Sequence, residues 1–92
     1  MFRYKKAVPV GYVLQGYIFF SSKMYKWLPA EERKRVERLC VAAGGEHAQA
    51  LLEFVTTDSG ATAVCRKHYL SASTLERAVK RYYILYSKEL KG

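Results

Sequence analysis

Residues 61–86, Ala61-Thr62-Ala63-Val64-Cys65-Arg66-Lys67-His68-Tyr69-Leu70-Ser71-Ala72-Ser73-Thr74-Leu75-Glu76-Arg77-Ala78-Val79-Lys80-Arg81-Tyr82-Tyr83-Ile84-Leu85-Tyr86, read as a helix, a tight turn and a second helix. The first helix spans residues 62–68 and ends at Tyr69 and Leu70. Ser71 then stands where its hydroxyl can accept a hydrogen bond from a free N–H of the next helix, which opens at Ala72. Val64, Leu70, Leu75 and Ala78 fall where two helices meeting at a steep angle bury apolar groups, and Cys65 puts a small side chain at their closest approach. Ser73, Thr74, Arg77, Lys80 and Arg81 recur at the spacing that keeps side chains on one face of the second helix. The turn position occupied by Tyr69 favours a left-handed backbone and is often glycine, so strain is expected there. A purely structural bundle can carry the same capped amphipathic helix. Charge and motif together favour a helix-turn-helix that reads DNA.

The length of 92 residues makes one domain with a modest core. The formal charge of +8 favours polyanionic partners, and it is unevenly placed. Residues 1–29 carry a net +5 with no acid, residues 30–60 a net −2, and residues 61–92 a net +5. The two ends therefore supply the positive field that nucleic acid would meet. The two cysteines, Cys40 and Cys65, sit inside apolar helical patterns and read as reduced core thiols. Cys65 and His68 stand close together, but no second pair has the spacing of a structural zinc site, and neither metal nor cofactor is expected. His68 reads as a partly buried packing residue. The chain shows no Gly-rich phosphate loop and no catalytic constellation, so it is not expected to be an enzyme.

The start of the chain superficially resembles a secretory signal. Pro9, Gly11, Gln15 and Gly16 interrupt its apolar run, no small-x-small cleavage site follows, and the run is too short to span a bilayer, so a cytoplasmic protein without membrane contact is expected. Residues 1–28 hold eight of the thirteen aromatics. They read as an irregular arm or a short hairpin turning at Gln15-Gly16, packed on a partner subunit or folded back on the chain's own helices. A single-strand stacking surface ranks below both.

Residues 29–92 read as the helical domain. Pro29, with Glu31 and Glu32 behind it, opens a helix over residues 29–43 that buries Val36, Leu39, Cys40 and Ala43, and Gly44-Gly45 stops it. A second helix over residues 46–56 buries Ala50, Leu51, Phe54 and Val55, and Asp58 or Ser59 leads into the helix-turn-helix. The last helix, residues 72–90, is longer than base reading requires. Its stripe of Tyr82, Leu85, Tyr86 and Leu90 needs a cover, from the N-terminal arm or from a second subunit in a homodimer or higher oligomer.

Residues 28–85 resemble the PapB-type transcriptional regulators of fimbrial adhesin operons, and their last half is similar to the KorA-type repressors of conjugative plasmids. The likeness lies in a helix before Gly44-Gly45, the Ala50-Leu51-Leu52-Glu53-Phe54-Val55 helix, a polar turn, and Ala63 to Tyr69 leading into a capped recognition helix. The resemblance implies an all-helical DNA-binding regulator that forms dimers or larger arrays on its operator, with recognition by Ser71, Ser73, Thr74, Arg77 and Lys80. Residues 73–77 depart from both families, which leaves the operator sequence open. From charge alone, Arg66, Lys67, Arg81 and Lys88 are the expected phosphate contacts. The competing class is a phage or plasmid protein-interaction module that grips an acidic protein partner.

Overall fold

The chain is all-helical. The computed structural model describes residues 2 and 4–92, and among these it holds five α-helices and no strand. They are α1 (Tyr12–Lys23), α2 (Ala30–Gly44), α3 (Ala48–Thr56), α4 (Ala61–His68) and α5 (Ala72–Lys91), with 3-10 turns at Tyr25–Trp27 and Gly45–His47.

Helix α2 begins behind Pro29, whose carbonyl accepts from the Arg33 N–H at 3.0 Å, and Glu31 and Glu32 lie in its positive first turn. It stops where Gly45 takes φ +56°, a conformation that costs glycine nothing. Val36, Leu39, Cys40 and Ala43 are all buried, as the helical period predicts. Helix α2 packs chiefly on α5 and α3, while α4 closes against α3 and α5. In α3 the buried stripe is Ala50, Leu51 and Val55, with Phe54 half-buried at its edge. The residue that starts α4 is Gly60, without a side-chain cap, rather than Asp58 or Ser59.

The reading of residues 1–28 as a hairpin or irregular arm is corrected: Tyr12–Lys23 form a helix, packed on α3 and α5 of the same chain. Gln15 explains the difference. Its amide is fully buried, accepts from the Lys5 N–H at 2.8 Å, and donates to the carbonyls of Lys5 at 2.9 Å and Val10 at 3.0 Å. A residue that reads as turn chemistry is thus a bracket that clamps residues 5–10 onto α1, and Val8 and Val10 enter the core with it. Gly16 lies within the helix under the Phe2 ring, which stands 3.6 Å from where a β-carbon would be.

The apolar stripe of α5 is covered within the chain, by α2 and by α1. Tyr82 and Tyr86 are fully buried, and the Ser22 hydroxyl, which donates to the Ile18 carbonyl at 2.7 Å, lies 2.7 Å from the Tyr82 phenol oxygen. With its own proton spent on Ile18, Ser22 accepts from Tyr82. The assignment of Tyr82 and Tyr86 to an oligomer interface is therefore corrected: their cover is intrachain. Leu85 and Leu90 are half-buried against the same core. Burial pushes the Tyr83 phenol up to about 12 and the Cys40 thiol up to about 12, so both stay protonated at neutral pH. Cys65 is only half-buried. Among the described residues, no helix is long and apolar enough to cross a membrane.

Candidate nucleic-acid interface

The corner between α4 and α5 is held by backbone and hydroxyl geometry. Tyr69 adopts φ +57° and ψ +50°, a left-handed conformation, and the Leu70 N–H reaches back to the Cys65 carbonyl at 3.1 Å. The chain then turns through Ser71, whose side chain accepts from the Thr74 N–H at 3.1 Å and caps α5. The Ser71 hydroxyl also lies 2.8 Å from that of Thr74 and 3.3 Å from that of Ser73. Val64, Leu75 and Ala78 are buried beneath the corner, with Leu70 and Cys65 half-buried beside them, as the motif requires. The one residue that the turn strains, Tyr69, projects into solvent at 93% exposure, so it contributes almost nothing to packing.

The expected base-reading set divides into two groups. Ser73, Arg77 and Lys80 are exposed and recur at four- and three-residue spacing on the outer face of α5. Ser71 and Thr74 are spent on the cap, and Thr74 is half-buried. The phosphate set divides as well. Arg66 and Lys88 are exposed, and among the described residues neither they nor Arg77 and Lys80 stand within ion-pair distance of a carboxylate. Lys67 is paired with Glu53 at 3.0 Å, and the His68 ring nitrogen lies at the same distance from that carboxylate oxygen. These two hydrogen bonds, His68 first, hold the Glu53 carboxyl below the usual carboxylate range. Arg81 is exposed, but its Nε donates to the Ala43 carbonyl at 2.8 Å and so caps the end of α2.

Arg77, Arg81 and Lys88 nonetheless fall on one line of α5, because eleven residues return a helix to nearly the same direction, and about 16 Å separates Arg77 from Lys88 at 1.5 Å per residue. Lys88 therefore lies far from the turn, beside Arg38 and Glu89, which form a two-pronged ion pair at 2.7 and 3.0 Å.

The sequence reading missed Lys5 and Glu76. Both line a cleft of about 500 Å³ together with Ser73, Arg77 and Lys80, floored by Val8 and Phe54. The Gln15 bracket is what carries Lys5 to the start of α5, so the two basic ends of the chain meet at this cleft. Their separate positive charges were legible in the sequence, but their meeting was not. Glu76 is the single carboxylate in that lining. Among the described residues no cluster of three His, Cys, Asp or Glu side chains is placed to hold a metal ion.

No protein-family model, curated protein or solved structure matches this chain.

Proposed function

We propose that the chain is a sequence-preferring double-stranded DNA-binding transcriptional regulator that sets the start of α5 in the major groove. The observation that carries the reading is the exposed trio Ser73, Arg77 and Lys80 at the opening of a capped helix, held to α4 by a tight left-handed turn, with both cations free of carboxylate partners among the described residues. Arg77 presents the planar fork that pairs with the O6 and N7 of guanine, and Ser73 and Lys80 flank it. Glu76, which lines the same cleft, is assigned to accept from a cytosine amino group. Arg66, Lys67, Lys88 and the free guanidinium nitrogens of Arg81 supply phosphate contacts that fix the register without reading sequence. Ser71 and Thr74 serve indirectly, by holding the helix start rigid. The likeness to PapB-type and KorA-type regulators belongs to this reading, and a transcriptional role rests on it.

Selection of duplexes from a random pool, followed by titration of the selected and scrambled sequences, tests the proposal. The expected result is a preferred sequence, and a loss of about 1 to 3 kcal/mol on that sequence for Arg77→Ala with preference relaxed at one base pair. Equal losses on both duplexes would make Arg77 a phosphate contact. Failure to enrich any duplex, together with a protein partner retained after nuclease treatment, would favour the interaction-module reading instead.

A further inference from the structure

Helix α1 is amphipathic the wrong way round. Its core face presents Gln15, Ile18 and Ser22, two of them polar, whereas its solvent face presents Val13, Tyr17 and Phe20, continued by Met24 just past its end. The exposed residues follow one another at four, three and four positions, the spacing of the apolar seam between two packed helices, and Trp27 in the following 3-10 turn extends it. Phe2 stacks beside Phe19 and Phe20, with ring centroids 5.5 and 6.3 Å away, and backs one edge of the seam.

From this geometry we infer that the outer face of α1 docks a second copy of the same chain, seam to seam across a two-fold axis. Charge decides between occupants. The only charged residue within α1 is Lys23, and its ammonium is turned under to the carbonyls of Phe54, at 3.1 Å, and Thr57. Along α1 the seam therefore offers an acidic partner no cation to recognise, and the exposed Lys26, between Met24 and Trp27, stands at its far end. In a chain of net charge +8, this is a face on which two copies packed antiparallel meet with their Lys26 side chains at opposite ends rather than opposed. The area is sufficient. Val13 is 79% exposed, Tyr17 48%, Phe20 57%, Met24 50% and Trp27 71%. At roughly 150 to 250 Å² for an aromatic side chain, that leaves on the order of 500 Å² of apolar surface per chain. Two chains together reach the roughly 1,000 Å² at which specific interfaces begin. Such a contact is isologous, so each residue of the seam meets its counterpart set in the partner. The inference does not rest on duplex binding and is tested without DNA.

Sedimentation of the DNA-free 92-residue chain from micromolar to submillimolar concentration gives the mass, and emission of Trp27, the single tryptophan, reports on the seam. The expected result is a transition from 10.6 kDa to twice that mass, with Trp27 emission shifting to the blue over the same range. Phe20→Glu should weaken association roughly thirtyfold or more, as loss of an aromatic anchor does. Since Phe20 is exposed, this variant should keep the parent's melting temperature; Tyr17→Glu, somewhat less exposed, serves if it does not. Val41→Glu, on the exposed side of α2, should leave the dimer intact. A 10.6 kDa species at every concentration, or a dimer indifferent to both seam variants, overturns the inference. So does a blue shift of Trp27 that appears only on adding anionic phospholipid vesicles, which would assign the face to a lipid surface.

Discussion

Tyr69→Gly should stabilise this protein, although it deletes a large aromatic side chain. Tyr69 is the one non-glycine residue at positive φ among the described residues, and at 93% exposure its ring buries almost nothing. An L-residue in the left-handed region costs about 1 to 2 kcal/mol, which glycine does not incur. Glycine also raises the entropy of the unfolded chain, which takes back about 0.4 to 1 kcal/mol. The net expectation is a gain of about 0.5 to 1 kcal/mol, seen as a rise in melting temperature of roughly 2 to 8 °C for a domain of this size. Tyr69→Ala is the control: it removes the same ring, keeps the backbone penalty, and should melt within about 2 °C of the parent. Paired urea and thermal melts of the three proteins measure the difference. If glycine melted at or below the alanine variant, the turn would not be strained at Tyr69 and the registration of α4 against α5 would be wrong. The selected duplex should bind Tyr69→Gly with its sequence preference intact, since the ring is not among the proposed reading residues.

Further expectations follow from the buried polar groups and the termini. Gln15→Leu leaves the Lys5 N–H and the carbonyls of Lys5 and Val10 without their partner, so it should cost about 1 to 3 kcal/mol and speed hydrogen exchange at the Lys5 amide, which protection measured by NMR reads directly. Ser71→Ala removes the cap of α5 and should cost about 1 kcal/mol in a urea melt. Below neutral pH, Glu53 and Glu89 carry lowered folded-state values, from His68 and Lys67 and from Arg38 respectively. Their stabilisation is therefore complete above the unfolded carboxylate value of about 4.3 and is lost as pH falls through the folded values. On the alkaline side the signs reverse: Cys40 and Tyr83 ionise more readily unfolded, so stability should hold up to the unfolded values of about 8.5 and 10 and fall towards pH 12, with melts across that range as the check.

Helices α2 to α5 were legible in the sequence because their apolar residues recur at the helical period and their ends carry recognisable signals: Pro29, Gly45, and the Ser71 hydroxyl two residues beyond Tyr69. Helix α1 was not, since Val13, Tyr17 and Phe20 face solvent while Gln15 and Ser22 face the core. A buried glutamine and a buried serine on the core face make sense only with partners supplied by residues 5–10 and by Tyr82, contacts that no local pattern reveals. Intrachain packing likewise overturns the oligomer seam read from Tyr82 and Tyr86, because the stripe of α5 did need a cover and α2 and α1 together provide it. At the candidate interface, Ser73, Arg77 and Lys80 followed from spacing alone. The place of Lys5 beside them depends on the Gln15 bracket, and the capping role of Arg81 on the end of α2, so neither was readable one helix at a time.

The most direct test of duplex binding is the salt dependence of affinity for a selected duplex, compared between the native chain and an Arg77→Ala, Lys80→Ala variant. The affinity of the native chain should fall by about 0.9 log units per log unit of salt for each phosphate neutralised, and a steep slope is expected from Arg66, Lys67, Arg81 and Lys88. The variant should bind more weakly while keeping most of that slope, because Arg77 and Lys80 are assigned to bases. Binding indifferent to salt, or no binding to any duplex at low salt, would contradict the assignment of α4 and α5 to DNA.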